Sequence, residues 1–180
     1  GKSWVSARTL MGQGMKVINS DDGFERYAKN AGLNLKKMGS FTAAQTKKKD
    51  ALRSRAKVGT AYMHQHAIDG RLGMILDSTA RDTARIESEA QSMRYLGYDT
   101  YMVFVNTTLE VALKRNEMRP RSVPEPIVIR SHKQIQNNIP RLKAIFGSKN
   151  FVEVDNSVEA EDVNIKVYKE IQKLVRSKPS

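Results

Sequence analysis

The chain has 180 residues, a length at which a single domain burying roughly 70% of its unfolded-chain surface is expected. No apolar run is long enough to cross a bilayer, the start lacks a signal-peptide pattern and cysteine is absent, which excludes a membrane or secreted protein and predicts a soluble one in the cytoplasm. Thirty-one Lys and Arg against 19 Asp and Glu give a net charge of +12, which favours an anionic partner such as a nucleotide, a polynucleotide or an acidic surface.

Short apolar segments alternate with longer segments of helical period, the pattern of an α/β domain whose parallel sheet is flanked by helices. Strands are predicted over residues 15–19, 73–77, 100–106 and 151–154. Apolar and polar residues do not alternate cleanly along them, which is typical of strands that are covered on both faces. Helices are predicted over residues 3–11, 22–30, 50–69, 83–96, 109–118, 126–146 and 160–175.

Capping residues support several of these boundaries. Glycines at 32, 97 and 147 follow helical segments where a C-terminal cap is expected. Asp50 and Thr108 stand where N-terminal caps are expected. The predicted domain covers residues 1–176, and residues 177–180 are expected to form a frayed tail.

The first three residues, Gly1-Lys2-Ser3, have the form of the end of a Walker A loop, G-x-x-x-x-G-K-[ST], and a predicted helix follows them. In such a loop the backbone N–H groups and the helix N-terminus hold the phosphates of ATP, the Lys reaches the β- and γ-phosphates and the Ser hydroxyl binds Mg²⁺. Gly1, Lys2 and Ser3 are therefore candidate ATP-binding residues. The competing interpretation of this tripeptide is a chance start or an expression-tag scar.

A Walker A loop normally follows the central strand of a parallel sheet. That strand and the earlier glycines would precede Gly1, so we expect the given sequence to begin inside the motif.

Two aspartates, Asp21 and Asp22, follow the strand at 15–19, at the edge where open α/β sheets bind ligands. Either could accept a proton from a hydroxyl that attacks a γ-phosphoryl group. The alternative is structural, because Ser-Asp-Asp before a helical segment is also capping chemistry.

Asp77 ends the strand at 73–77 in the same way. An acidic residue at the end of a buried strand is where P-loop proteins place the Walker B carboxylate that serves Mg²⁺. The alternative is a polar strand-to-helix turn formed by Asp77, Ser78 and Thr79.

Three arginines, Arg115, Arg119 and Arg121, flank a proline-rich loop between two predicted helices. An arginine-bearing loop can close over transferring phosphates because each guanidinium bonds two phosphate oxygens at once. The other basic residues at 36–37, 47–49, 53 and 55 are interpreted as solvated faces, with a path for a phosphate backbone as the alternative.

Taken in order, the segments GKS, VINSDD, TKKKD, GMILDST and LGYDTYMVFVNTTLEVALKRNEMRPRSVP resemble the P-loop kinases of the polynucleotide 5′-kinase type, particularly the phage enzymes, and more distantly the zeta-toxin kinases. The likeness runs from Gly1 to about Val154. It implies a P-loop NTPase fold with an arginine-bearing lid, the use of ATP and Mg²⁺, and a cytoplasmic location, that of the host if the source is a phage.

The resemblance also implies roles for individual residues. The strand-end Asp of the family's N-x-D-D context is the catalytic base and matches Asp21, while the lid arginine matches Arg119 or Arg121. The polynucleotide kinases usually carry an Arg three residues after the base, which contacts a phosphate of the acceptor. Here that position is Phe24.

These observations predict an ATP-dependent phosphotransferase acting on a hydroxyl of a nucleic acid or nucleotide-like acceptor, including 5′-hydroxyl ends. Lys2 and Ser3 would serve the nucleotide and metal, Asp21 would be the base, Asp77 would contact the metal, and the three lid arginines would stabilise transition-state charge. Two alternatives are a zeta-toxin-like or small-metabolite kinase, favoured by Phe24, and a non-catalytic nucleic-acid-binding module, favoured by the charge of +12.

Overall fold

The computed structural model describes residues 14–118, 123–157, 169 and 171–173. They fall into two compact units. The N-terminal unit holds residues 14–77 with Met118, and the C-terminal unit holds residues 78–117 and the described residues from 123 onward. Each unit is built around one pair of parallel strands.

The described residues of the N-terminal unit form two short strands, two helices and a 3₁₀ turn. In chain order they are β1 (Lys16–Ile18), α1 (Asp21–Asn30), the 3₁₀ turn (Leu35–Ser40), α2 (Ala43–Asp69) and β2 (Met74–Leu76). The two strands pair in parallel, with Lys16 opposite Met74 and Ile18 opposite Leu76. A parallel pair needs a long crossover, and α1 and α2 provide it.

Small residues let α1 and α2 pack closely. Phe24 and Ala28 of α1 are buried, as are Ala56 and Ala67 of α2. A Cβ atom on Gly23 would lie 3.8 Å from the Cβ of Ala56, which is ordinary contact distance. The close approach brings the first turns of α1 within reach of side chains from α2.

Helix α2 begins at Ala43, seven residues before the predicted start. Thr42 forms a capping box in which its hydroxyl accepts from the Gln45 N–H at 3.2 Å and the Gln45 side chain accepts from the Thr42 N–H at 2.9 Å. The prediction of Asp50 as the N-cap is therefore wrong, because the T-x-x-Q pattern starts the helix earlier. Asp50 lies inside α2 and pairs with Lys49 at 3.1 Å.

Between Ser78 and Asp155, the described residues of the C-terminal unit form three helices, a 3₁₀ turn and the second strand pair. The elements are α3 (Thr83–Tyr95), β3 (Met102–Asn106), α4 (Leu109–Glu117), α5 (Glu125–Phe146), the 3₁₀ turn (Ser148–Asn150) and β4 (Phe151–Asp155). The strands pair in parallel from Met102 opposite Phe151 to Asn106 opposite Asp155.

The core of this unit lies where α3 and α5 meet β3. Ile86, Phe104 and Leu142 are buried together with Ala80, and Leu142 is fully inaccessible to solvent. The rings of Phe104 and Phe151 stack with centroids 6.0 Å apart, so the two strands share the same apolar cluster.

The predicted elements within the described residues are present, with ends that shift by one or two residues apart from the start of α2. Gly32, Gly97 and Gly147 adopt positive φ angles of 70°, 85° and 76° after their helices, as glycine caps do. Thr108 caps α4, since its hydroxyl accepts from the Val111 N–H at 3.3 Å.

The predicted helix at 3–11, most of the one at 160–175 and the tail at 177–180 lie outside the described residues. Among the residues that the structure describes, no helix combines the length and apolarity that crossing a bilayer requires.

Candidate active site

Asn19 joins the ends of the two strands of the N-terminal unit. It directly follows β1, and its side-chain N–H donates to the Asp77 carboxylate, which follows β2, at 3.1 Å. Its side-chain oxygen accepts from the Asp21 backbone N–H at 2.8 Å. Because β1 and β2 are parallel, both aspartates lie at the carboxyl edge of the same strand pair, the edge where ligands of α/β proteins bind.

Asp21 is the first residue of α1, and its carboxylate is paired with a guanidinium. Arg53 Nη1 lies 2.6 Å from Asp21 Oδ1. The two side chains are 35% and 53% exposed, respectively, so the pair lies at the surface, where solvent can reach it. An exposed pair of this kind contributes about 0–1 kcal/mol to folding.

The capping interpretation of the aspartates is wrong. Ser20 is the N-cap of α1 and makes no side-chain capping hydrogen bond, and Asp21 and Asp22 belong to the first helical turn. The Asp21 N–H donates instead to the side-chain oxygen of Asn19. The Asp21 carboxylate is thus not used for capping, and its orientation is set by Arg53.

Arg53 reaches Asp21 from α2 and also packs on α1. Its guanidinium carbon lies 5.0 Å from the centroid of the Phe24 ring, a cation–π distance. Arg55, two residues further along, lies 5.0 Å above Tyr27 instead. Both arginines keep part of their surface open to solvent, as the interpretation of solvated faces requires, while their guanidinium groups also pack on aromatic rings of α1.

Asp77 extends the pairing of β1 and β2, and its predicted role at Mg²⁺ stays a prediction. Its backbone N–H donates to the Ile18 carbonyl at 3.4 Å, which continues the pairing of β1 and β2, and its carboxylate accepts from Asn19. In the C-terminal unit, Ser78 Oγ accepts from the Ala80 N–H at 3.3 Å, and Ala80 has a φ of 58°. A turn does follow the strand, and the Asp77 carboxylate remains at the strand end.

Carboxylate oxygens are the ligands that Mg²⁺ prefers, so the chemistry of Asp77 fits a role beside that ion. Ser3, the other predicted metal ligand, lies outside the described residues, as do Gly1 and Lys2. Within residues 14–118, 123–157, 169 and 171–173, no three acidic or histidine side chains are grouped as a complete metal site.

A second polar cluster occupies the carboxyl ends of β3 and β4. The Asn106 side-chain oxygen accepts from Thr107 N at 2.9 Å and from Gln136 Nε2 at 2.7 Å, and its Nδ2 donates to Glu153 at 2.9 Å. Asn106 therefore ties its own strand to β4 and α5. Asn106 resembles Asn19 in this respect, because each is an amide at the end of a strand that both donates and accepts side-chain hydrogen bonds.

Asp155, at the end of β4, is held by Ser157. Its carboxylate accepts hydrogen bonds from the Ser157 hydroxyl and from the Ser157 backbone N–H, the latter at 2.9 Å, and these lower the pKa of Asp155 from its ordinary value of 3.8. The Ser157 hydroxyl also accepts from Thr108 N at 3.0 Å. The loop after β4 is thereby fixed to the start of α4.

The loop predicted as an arginine lid is closed at its base by Asn116. The Asn116 side chain donates to the Val123 carbonyl at 2.7 Å and accepts from the Val123 N–H at 2.9 Å. Arg115 precedes this residue in the last turn of α4 and is half-buried. Arg119 and Arg121 lie outside the described residues, and the lid itself stays a prediction.

Parallel strands with helical crossovers are typical of α/β proteins, and proteins of this class bind their ligands at the carboxyl ends of the strands, where the acidic residues lie here. A protein-family model described as an AAA domain matches residues 1–142. The chain belongs to this AAA-domain family, a family of P-loop NTPases that includes kinases, and nucleotide binding is typical of it. Comparison with curated proteins and with solved structures gives no significant match.

The structure brings together Asp21 and Asp77 of the predicted site, and it adds two residues that sequence reasoning had not assigned, Asn19 and Arg53. Asn19 had a usable signal, because a bifunctional amide directly after a strand and two residues before an aspartate is an Asx-turn pattern. Arg53 had none, since it is 32 residues away from Asp21 in sequence.

Proposed function

We propose that this protein is an ATP- and Mg²⁺-dependent kinase that transfers the γ-phosphoryl group of ATP to a hydroxyl of a nucleic acid or nucleotide-like acceptor, with Asp21 as the general base. The observation that carries the proposal is the hydrogen-bonded set at the strand edge, in which Asn19 bonds both the Asp77 carboxylate and the Asp21 backbone. Membership of a P-loop NTPase family supports ATP as the nucleotide that the protein binds.

The reaction needs one proton acceptor at the acceptor hydroxyl. The hydroxyl oxygen forms a new bond to the γ-phosphorus while the bond from that phosphorus to the β,γ-bridging oxygen breaks and ADP leaves. The hydroxyl proton passes to the Asp21 carboxylate. Asp21 is suited to this because its carboxylate is at the surface and is held in place by Arg53.

The remaining roles follow from the family's chemistry. Lys2 would bind the β- and γ-phosphates, and Ser3 and Asp77 would hold Mg²⁺, which neutralises phosphate charge when it is bound. Arg115, Arg119 and Arg121 would stabilise the charge that develops on the transferring group. The bond of Asn19 to Asp77 would keep the metal-side carboxylate in register with the base.

A nucleic-acid or nucleotide acceptor is supported by the distribution of charge. Residues 21–57, which form α1, the 3₁₀ turn and half of α2, contain ten Lys and Arg against four Asp and Glu. The base therefore lies in the most basic segment of the N-terminal unit. Such a surface attracts a polyanion and offers nothing comparable to a neutral sugar.

The test is transfer of labelled phosphate from γ-³²P-ATP, in Mg²⁺, to a panel of acceptors with the full-length protein. The panel contains a 5′-hydroxyl oligonucleotide, the same oligonucleotide carrying a 5′-phosphate, a nucleoside and a nucleotide sugar. We expect label on the 5′-hydroxyl oligonucleotide and none on its 5′-phosphorylated twin.

Other results would assign the protein differently. Label on the nucleotide sugar alone would identify a small-metabolite kinase. Salt-sensitive oligonucleotide binding without any transfer, and unchanged by ATP, would identify a nucleic-acid-binding module. No transfer to any acceptor would overturn the kinase assignment.

A further inference from the structure

Helix α2 exposes large apolar side chains to solvent. Val58, Tyr62 and Met63 are 56%, 66% and 54% exposed and follow one another closely along the helix. A surface helix normally buries one apolar face and presents charged or polar residues on the other. Because α2 also has a buried face, which includes Ala56 and Ala67, it is apolar on more than the side that the N-terminal unit covers.

One exposed face of α2 has the residue spacing of a coiled coil. Uncharged residues on this face are separated alternately by three and four positions, and together we call them the seam: Ala51, Ser54, Val58, Ala61, Gln65 and Ile68. Ile68 is partly buried, and the others are exposed. Residues with this spacing form a continuous stripe that faces a partner helix, here over about 25 Å of α2. Tyr62, next to Ala61, widens the apolar part of the stripe.

The seam is complementary to itself when two copies run antiparallel. A second copy that meets the seam at its centre forms three kinds of layer: Val58 opposite Ala61, Ala51 opposite Ile68, and Ser54 opposite Gln65. In the first two layers a large apolar side chain meets a small one, which lets the helices pack closely. In the third layer two polar side chains meet, and polar residues in such a stripe fix the register of the pair.

Charges beside the seam favour the antiparallel direction. Lys48 lies near the start of α2 and Asp69 ends it, and both are exposed on the same side of the seam. In the antiparallel register, Lys48 of one copy comes within about 3 Å of Asp69 of the other along the helix axis, whereas a parallel pair would place like charges together. Lys48 also donates to the Ala31 carbonyl at 3.1 Å, and Asp69 accepts from Gln65 at 2.8 Å. Both groups have further hydrogen-bonding capacity for each other.

From the seam and its flanking charges we infer that this protein forms a homodimer in which α2 packs antiparallel on α2 of a second copy. The contact is isologous, because each copy contributes the same seam. The uncharged seam has no cation to offer a polyanion, which favours a second copy as its partner. Each copy carries a net charge of +12, and at physiological ionic strength a Debye length of about 8 Å screens the repulsion between them.

This dimer is independent of the proposed kinase reaction. Arg53, which pairs with Asp21, lies about 140° around α2 from Val58, so the seam does not include it. Failure of one proposal therefore leaves the other standing, since the dimer is measured by mass and the kinase by phosphate transfer.

The first test is sedimentation equilibrium of the full-length protein and its variants Val58→Glu and Met63→Glu, at about 0.15 M ionic strength. The two positions are a matched pair, because the side chains are 56% and 54% exposed on the same helix and lie about 140° apart around it. Val58→Glu should weaken the dimer by at least about tenfold, since it places a carboxylate in the centre of the seam. Met63→Glu should stay within about threefold of wild type. Circular dichroism establishes that both variants keep the helix content of wild type.

Cysteine cross-linking tests the direction of the pair. The chain has no cysteine of its own, so Ser54→Cys and Gln65→Cys each introduce one thiol at an exposed position. Oxidation of an equal mixture of the two full-length variants should link them to each other. Each variant alone should form far less disulfide, because in the antiparallel dimer its two thiols are about 16 Å apart along the helix axis.

Four results would overturn the inference. A wild type that stays monomeric up to about 0.1 mM would exclude a dimer of useful affinity. Equal weakening of the dimer by Val58→Glu and Met63→Glu would place the interface on another surface. More disulfide in each single cysteine variant than in the mixture would show that the helices run parallel. A monomeric wild type that binds an oligonucleotide more tightly than Val58→Glu does would assign the face to a polyanion.

Discussion

Asn19 is the residue on which the geometry of the candidate site depends most. One amide side chain supplies a donor to Asp77 and an acceptor to the Asp21 N–H, and no carboxylate or hydroxyl of similar size could do both in a fixed orientation. An aspartate at this position would place two negative groups side by side. The amide therefore links the end of β2 to the first residue of α1 without placing another negative charge beside Asp77.

Replacing Asn19 with Ala should lower the rate of phosphoryl transfer by about tenfold or more, because the Asp77 carboxylate loses its hydrogen-bond donor and the backbone of Asp21 loses the acceptor that fixes its place. Asn34→Ala is the matched control, since the Asn34 side chain accepts from Lys36 N at 3.0 Å in the same two-residue turn, away from the site. The measurement is single-turnover phosphoryl transfer with ATP saturating. Equal rates for the two variants would mean that Asn19 is a turn residue alone.

Ser157 sets the charge state of Asp155 in acid. The hydrogen bonds that lower the pKa of Asp155 in the folded chain favour its ionised form. The stability they contribute is present above the ordinary pKa of 3.8 and is lost as pH falls through the lowered value. Ser157→Ala removes the larger of the two causes, so the pKa of Asp155 should rise toward 3.8 in a carboxyl ¹³C NMR titration. An unchanged titration would contradict the contact.

Among the elements, the end of α4 is joined to the residue before α5 by a pair of hydrogen bonds, which we call the clamp. Asn116 in α4 makes two hydrogen bonds to the backbone of Val123, just before α5 begins. The clamp closes the ends of the connecting segment that carries Arg119 and Arg121 in sequence. Both bonds use backbone groups of Val123 that the start of α5 leaves without helical partners.

Replacing Asn116 with Ala should speed tryptic cleavage after Arg121 by about tenfold, the effect of losing hydrogen bonds worth about 0.5–1.5 kcal/mol each. Asn137, which is exposed on α5, provides the control substitution Asn137→Ala. Mass spectrometry of the first fragments identifies the cleaved bond. Unchanged cleavage after Arg121 in the Asn116 variant would show that the clamp does not restrain this segment.

The elements also show what the sequence could predict. The four apolar segments are strands and five helices between them are present, because buried strands and long periodic helices are determined by local hydrophobic patterns. The start of α2 was missed because its first residues are polar and only the pairing of Thr42 with Gln45 marks it. Periodicity carries no information about a capping box.

The candidate site was predictable in part for a similar reason. Asp21 and Asp77 follow strands, and parallel strands bring their carboxyl ends to one edge. Arg53 reaches Asp21 only because small residues let α1 and α2 approach each other. That approach depends on tertiary packing between residues that are distant in sequence, so no local pattern could indicate it.

At the scale of the whole molecule, the charge is divided unevenly. Residues 14–77 contain twelve Lys and Arg against six Asp and Glu, whereas residues 78–117 and 123–157 together contain ten against nine. The excess positive charge of the described residues therefore belongs mainly to the unit that holds Asp21. Association with a polyanion should depend on that unit and weaken as salt rises.

The stability of the C-terminal unit depends on a small apolar cluster. Leu142→Ala should lower the free energy of unfolding by about 2–5 kcal/mol, since Leu142 is fully buried against Phe104 and Ile86. The control is Ile129→Ala on the same helix, where the side chain is 40% exposed and a change within about 0.5 kcal/mol is expected. Denaturant unfolding measures both, and a small effect at Leu142 would contradict the described core.

If Asp21 takes the proton of the acceptor hydroxyl, its amide variant must lose phosphoryl transfer, and the decisive comparison is between Asp21→Asn and Asp22→Asn in the full-length protein. Single-turnover transfer from labelled ATP to a 5′-hydroxyl oligonucleotide is followed in each. A loss of about 10²- to 10⁴-fold in Asp21→Asn, with Asp22→Asn within about threefold of wild type, is the predicted result. Transfer at the wild-type rate by Asp21→Asn would contradict the account.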